Sequence, residues 1–308
     1  MNSGTKDLAL PATGRQHRIS RGNAAAVIAS LGGALRSYTV AGTELVETYP
    51  DDRIPPSAAG ILLAPWANRI AGGQWTLDGR GQQLDITEPK LGNAIHGLLR
   101  NTGYVPVEST PDSVKLAAEI FPQHGYPFHL VHEVRYSLDD DGGLRVRQSL
   151  TNHSARRAPF ALGAHPFLRL GEVPSEELVL QVDAATKLTT DDSLIPTGRV
   201  SAADTDNLAA GRRVGELDLD SAFTGLTVRD GAFRHVLTAP DGRSVQLWAG
   251  AEFDYVHVFV TDKFPGRACA VAIEPMTAPA NCLNSGEGLR WLEPGEGFSA
   301  EWGIRAAL

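Results

Sequence analysis

Cysteine is scarce in this chain, with only Cys269 and Cys282 among 308 residues. Two thiols build neither a disulfide framework nor a thiolate metal cage, so both are read as reduced thiols. Basic charge is also in deficit: 28 Lys and Arg face 36 Asp and Glu, a formal net charge of −8. Nucleic acids and anionic membrane faces demand a basic footprint, and this balance argues against both as partners. Long apolar runs are missing. The longest, around Ala24–Leu35, is broken by Ser30, Gly32 and Gly33 and is too short to span a bilayer. The first twenty residues hold no apolar signal-peptide core, so a soluble cytoplasmic protein is expected. On that view the sequon Asn152-His153-Ser154 is chance.

Several chemical signatures are absent as well. No Gly-rich phosphate loop or dinucleotide fingerprint occurs, and no Gly-x-Ser-x-Gly elbow. His132-Glu133 lacks the second histidine of a zinc-hydrolase motif. His129 and His132 lie three apart on a predicted strand, so they point to opposite faces and cannot chelate one ion. Nucleotide, zinc-hydrolase and serine-hydrolase chemistry lose most of their support.

What is present is a strong period-two pattern, cut by 32 Gly and 19 Pro, which excludes a coiled coil. Hydrophobic residues, at 42%, suffice for a large core. Phe128, Leu130, His132, Val134, Tyr136 and Leu138 share one face of a predicted strand. Asp139–Gly143 then turns the chain into a partner strand carrying Leu144, Val146, Gln148 and Leu150. The same pattern predicts hairpins around Asp78–Gly81, leading into Gln82–Ile86, and around Pro240–Gly242. Further strands are predicted at Tyr255–Thr261, Ala268–Glu274 and Phe298–Ile304. The polar stretch 201–216 reads as a long surface loop. Many short strands with frequent turns predict an all-β sandwich or barrel. No linker divides it, so one domain over residues 1–308 is expected.

Against this background a few polar residues sit in unusual settings. They are Asn68-Arg69 after Ala64-Pro65-Trp66-Ala67, His96 in Gly92–Leu98, His165 in Gly163–Phe167, Asp220 in Asp218–Phe223, and Glu274 after the apolar run Ala268–Ile273. Singly, each has a dull structural explanation. Together, Ala64–Arg69, Gly92–Gly97, His165–Phe167 and Glu274–Thr277 resemble, in order, the motifs of the aldose 1-epimerase (galactose mutarotase) family. The likeness is greatest to its bacterial branch with Asn-Arg, Ile-His-Gly, His-Pro-Phe and Glu-Pro-Met-Thr.

This resemblance implies an antiparallel β-supersandwich with an open sugar cleft and no cofactor. It implies Glu274 as general base, His165 as general acid and His96 as the second active-site histidine. Asp220 and Arg69 become sugar ligands, with Asn68 beside them. Asp218 is close enough to Asp220 to leave that assignment open. Among the five tryptophans, Trp302 is expected in the core, and Trp248 is the favoured platform for a sugar face. Two departures bear on the sugar. The histidine context is Gly163-Ala164-His165-Pro166-Phe167, not Asn-His-x-Tyr-Phe-Asn, and the aspartate motif is Asp-Ser-Ala-Phe, not Asp-His-x-Phe.

An aldopyranose changes anomer by opening its ring. One proton leaves the C1 hydroxyl and one reaches the ring oxygen. A carboxylate and an imidazolium on either side of the anomeric centre would serve, with His96 and Arg69 keeping Glu274 ionised. The expected function is therefore mutarotation of a hexose, with a monosaccharide as the partner and a monomer or weak homodimer as the assembly. One alternative is an anionic hexose, a 6-phosphate or 6-sulfonate, with Arg69 and Arg169 as candidate basic groups. Another is a carbohydrate-binding protein without catalysis. A glycoside hydrolase would need Asp220 and Glu274 to straddle a glycosidic bond.

Overall fold

The structure, a computed structural model, describes residues 10–308. It is an all-β molecule built on two large antiparallel sheets. The nine-stranded sheet runs, edge to edge, through Val105–Ser109, Ser113–Ile120, Leu130–Leu138, Leu144–Asn152, Gly297–Ala307, Ser244–Ala249, Phe233–Thr238, Val179–Val182 and Arg212–Arg213. The second sheet runs through Pro196–Ser201, Ala184–Thr190, Asp220–Leu226, Tyr255–Thr261, Ala270–Met276, Gly163–Ala164 and Leu62–Leu63, and Phe167–Leu168 also pairs with Ala270–Met276. Among the described residues no helix is long and apolar enough to cross a membrane.

The hairpin predicted from Phe128–Leu138 and Leu144–Leu150 forms between Leu130–Leu138 and Leu144–Asn152, with Leu138 opposite Leu144 and Leu130 opposite Asn152. Its inward face, including Leu130, His132, Val134 and Tyr136, is fully buried, while alternate residues remain partly exposed. This is the alternation of a sheet with one face on a core. Trp302 is buried as expected. Asn152 is buried and spends its amide hydrogens on the Arg156 and Leu292 carbonyls, so the sequon side chain is occupied.

The strand predicted at Phe298–Ile304 extends over Gly297–Ala307, the one predicted from Phe128 starts at Leu130, and three other differences have a clear physical reason. The hairpin after Trp75 closes on a two-residue turn, Asp78-Gly79, both at positive φ, so the return strand is Arg80–Gln83 and not Gln82–Ile86. Within 201–216, Arg212–Arg213 adds an edge strand to the nine-stranded sheet by pairing with Val179 and Leu180. The predicted Ala268–Glu274 strand is instead Ala270–Met276, running through Pro275. The Ile273 N–H donates to the Pro166 carbonyl. Antiparallel alternation aims position 275 at the same side, where the neighbouring chain is broken around His165. The proline's missing N–H therefore costs the ladder little.

The strand Ala270–Met276 is buried along its whole length. Val271 and Ile273 join the main core with Val256 and Val258 of the adjacent strand. Ala272, Glu274 and Met276 face the other way, beneath a layer of loops. Those loops are tied to the sheet by close backbone approach. Gly97 bridges Ala64, and a Cβ added there would lie 2.0 Å from the Ala64 carbonyl oxygen, at a φ of +74°. Gly97→Ala is therefore expected to destabilise the fold by about 2–4 kcal/mol, read as a lower urea midpoint with unchanged slope.

Candidate active site

Glu274, His257 and Phe259 lie on adjacent strands of the second sheet, with His257 directly opposite Glu274 in the register. Asp220 starts the next strand and pairs with Phe259. His165 lies between two short segments, each paired to the Glu274 strand, through Gly163–Met276 and Phe167–Ala272. Pro166 cannot donate to a ladder, so the chain lifts off here and turns its histidine over Glu274. His96 follows the short strand Ala94–Ile95, which pairs with Arg69–Ile70. His96 and Asn68 both hold positive φ, 64° and 55°. Asn tolerates that region, and its Oδ1 accepts the Arg69 backbone N–H at 2.9 Å.

These elements enclose a cavity of about 480 Å³, lined on the sheet side by His165, Asp220, His257, Phe259 and Glu274. Loop residues Ile54–Ala58, Asn68, Arg69, Glu88, His96 and Arg100 complete the wall. The His165 Nε2 is 3.3 Å from Glu274 Oε1. His96 meets His165 edge to face, with ring centroids 5.2 Å apart. His165 Nδ1, His96 Nδ1 and Glu274 Oε2 have no hydrogen-bond partner among the described residues. A buried polar atom without a partner is costly, and three of them here mark a place that awaits a polar ligand.

Burial governs the charges. It pushes the Glu274 carboxyl up to about 7, a rise that nearby His257 and Arg69 only partly oppose. It pushes the His165 imidazole down to about 3, and holds His96 well below its ordinary value. Asp220 behaves oppositely. Burial raises it, but the hydrogen bond from His257 at 2.7 Å and the Arg69 charge outweigh burial and bring it to about 2. Arg69 is clasped by Glu88 through Nε at 2.9 Å and Nη2 at 3.0 Å, and its Nη1 is 3.6 Å from Asp220.

Six of the seven residues picked from the sequence thus converge on one cavity: Glu274, His165, His96, Arg69, Asn68 and Asp220. Asp218 is exposed and lines a neighbouring groove instead. Trp248 is the exception. It sits on the nine-stranded sheet, on the face of its strand opposite the core, with the Arg145 guanidinium 5.3 Å from its ring. Hairpin position misled here, because an open strand end says nothing about which sheet carries the cavity. The cavity's aromatic wall is Phe259. The expected support for Glu274 also differs: Arg69 is engaged by Glu88 and Asp220, and His96 is too buried to hold charge. Sequence reasoning passed over His257, Glu88 and Arg100. Only His257 left a signal, a histidine in the otherwise apolar run Tyr255–Val260. Among the described residues no three His, Cys, Asp or Glu side chains are arranged to hold a metal ion.

The family model for aldose 1-epimerase matches residues 15–305. The uncharacterized protein YihR of Escherichia coli (strain K12) is 31% identical over 291 residues, spanning 92% of this chain and 91% of its own. Human galactose mutarotase is 32% identical over 153 residues, which span 46% of this chain and 42% of the human protein. Among solved structures, a putative aldose 1-epimerase from E. coli K12 superposes with a TM-score of 0.81 at 20% identity, covering 95% of this chain and 99% of that one. A GalM/aldose epimerase homologue from C. elegans gives 0.84 at 20% identity, covering 95% and 98%. These two share the fold.

The electrostatics carry a stability consequence. Glu274 binds its proton more tightly folded than unfolded, so its contribution is present below about pH 4.5 and lost as pH rises through about 7. Glu274→Gln removes that loss. The variant's stability relative to the parent is expected to grow between pH 5 and pH 8 by on the order of 2–3 kcal/mol. Urea unfolding at the two pH values measures it, and a pH-independent difference would contradict the burial effect.

Proposed function

The chain belongs to the aldose 1-epimerase family, and from that premise we propose that it interconverts the α and β anomers of a hexose by opening and reclosing the pyranose ring. The observation that carries this reading is the His165–Glu274 pair, 3.3 Å apart and cut off from water at the floor of a sugar-sized cavity. The two groups sit side by side, not on opposite sides of the site. That suits the reaction, because the two oxygens that exchange protons, O1 and the ring oxygen, are both bonded to C1.

The pair works while it holds one proton. Carried on His165, with Glu274 ionised, that proton is placed for the ring oxygen. Glu274 takes the O1 proton, the C1–ring oxygen bond breaks, C1=O1 forms, and the ring oxygen receives the proton from His165. Rotation about C1–C2 presents the other aldehyde face, and the same steps in reverse close the ring. Asp220 and the Arg69–Glu88 pair grip hydroxyls away from C1, and Phe259 offers an apolar surface to the ring. The acid and base together also favour catalysis over a purely binding role.

Glu274→Gln is expected to lower kcat by about 10²–10⁴-fold in polarimetry of fresh anomers, while calorimetric sugar binding persists. In the parent enzyme, kcat/KM should fall above about pH 7, as the pair loses the proton it must give to the ring oxygen. Full turnover in the variant, or a rate undiminished at pH 9, would refute these roles.

One observation favours a second reading, a hexose with an anionic 6-substituent. The cation responsible is not Arg69, which is neutralised, nor Arg169, which binds Glu44 at 2.5 Å and does not line the cavity. It is Arg100, which reaches the cavity and, among the described residues, has its Nε unpartnered and only a long bond, 3.4 Å, from Nη1 to the Ile95 carbonyl. If this holds, a hexose 6-phosphate or 6-sulfonate shows the higher kcat/KM. Arg100→Met should then cost the anionic sugar at least about tenfold more than the neutral one, the worth of one charge-assisted contact. Equal losses would leave the neutral hexose as substrate.

A further inference from the structure

On the sheet side of the cavity one residue has so far been given neither a proton transfer nor a sugar contact: His257. It is only 5% exposed and lies on the strand Tyr255–Thr261, between the strands that carry Asp220 and Glu274. Its Nε2 is 2.7 Å from Asp220 Oδ1, and its Nδ1 is 3.5 Å from Asn68 Nδ2. The short bond to a carboxylate puts the proton on Nε2 and leaves Nδ1 as the acceptor from the Asn68 amide. The Asn68 carbonyl oxygen in turn accepts from the Arg69 backbone N–H and from Arg69 Nη1 at 3.4 Å. Both imidazole nitrogens are thus spoken for, and neither is free to exchange a proton with a sugar.

Asp220 is held at one oxygen only. His257 and Arg69 both address Oδ1, and among the described residues no hydrogen bond reaches Oδ2. The Asp220 side chain is 30% exposed, so an unanchored carboxylate would sample several rotamers and lose them when a sugar bound.

We propose that His257 is a positioning residue that fixes Asp220 through Oδ1, so that Oδ2 stands ready for a sugar hydroxyl. This rests on the reading of the cavity as a sugar site. It explains why a histidine interrupts an apolar strand directly beside the catalytic carboxylate. It also makes sugar recognition depend on a chain of contacts, Asn68 to His257 to Asp220, that spans three separate segments of the polypeptide.

The test is a double-mutant cycle, read by calorimetric titration with D-glucose, D-galactose and glucose 6-phosphate and by polarimetry of the same sugars. His257→Phe should weaken binding about tenfold and raise KM more than it lowers kcat. His257→Gln, whose amide can donate to Asp220 and accept from Asn68, should stay within about threefold of the parent. In an Asp220→Asn background, His257→Phe should cost little more, because the residue acts through that carboxylate. If His257→Phe does not melt cooperatively, His257→Asn, too short to reach Asp220, replaces it with the same expectation. Parental affinity in the Phe or Asn variant, or a loss undiminished by Asp220→Asn, overturns the proposal. Should the parent bind sugar without accelerating mutarotation, the catalytic reading fails and the binding cycle still decides the role of His257. Absence of binding by all three sugars overturns both.

Discussion

A carboxylate and an imidazole held 3.3 Å apart and away from water cannot each keep the charge that water would give them. Burial lifts the proton affinity of Glu274 to about 7 and lowers that of His165 to about 3. Groups whose ordinary values differ by two units in one direction are thereby drawn past each other in the other. The single proton the pair holds therefore rests on Glu274, and the proposed exchange requires a bound sugar's hydrogen bonds to draw it onto His165. Glu274 Oε2 and His165 Nδ1, without a partner among the described residues, add a desolvation cost that a polar ligand in the cavity would offset.

The scaffold exists to hold that contact rigidly. A strand buried on both faces offers its neighbours no room to shift, and Glu274 is the only ionisable residue on it. Val271 and Ile273 lock one face into the core between the sheets, so the other face is placed by packing alone. His165 is fixed from both sides, since the segments flanking it pair with the Glu274 strand and its own N–H donates to the Ile61 carbonyl. Sites built on such paired strands hold their geometry better than sites built on loops alone. The loops that roof the cavity contribute Asn68, Arg69 and Arg100, where variation can alter the cavity's polar lining without disturbing the paired strands below.

How much of this was legible beforehand depended on whether a residue's role is written into its own neighbourhood. The hairpin Leu130–Asn152 was readable to within two residues at its open ends, because period-two burial and the Asp-Gly turn are local properties of the chain. Glu274 and His165 stood out because a carboxylate after an apolar run and a histidine before Pro-Phe contradict their surroundings. Trp248 was misplaced because its alternation fixed a face but not a sheet. Glu88 carries no local oddity at all. Its importance comes from Arg69, nineteen positions earlier, which it clasps through both oxygens. Arg100 is ordinary as a residue and distinctive only because no carboxylate lies within ion-pair reach of it among the described residues.

The amino-acid order by itself determined the all-β character, the principal strands, the lack of a framework of disulfides, and six residues of the cavity. These follow from periodicity, turn chemistry and recurring motifs, which act over a few residues. The tertiary structure alone decided that His257 faces Glu274, that Asp220 and not Asp218 enters the cavity, and that His165 and Glu274 stand side by side. It also decided the charges, because a proton affinity is set by what surrounds a group in space. Burial and cross-strand register bring together residues as distant in the chain as Asn68 and His257, and no spacing along the sequence encodes that meeting.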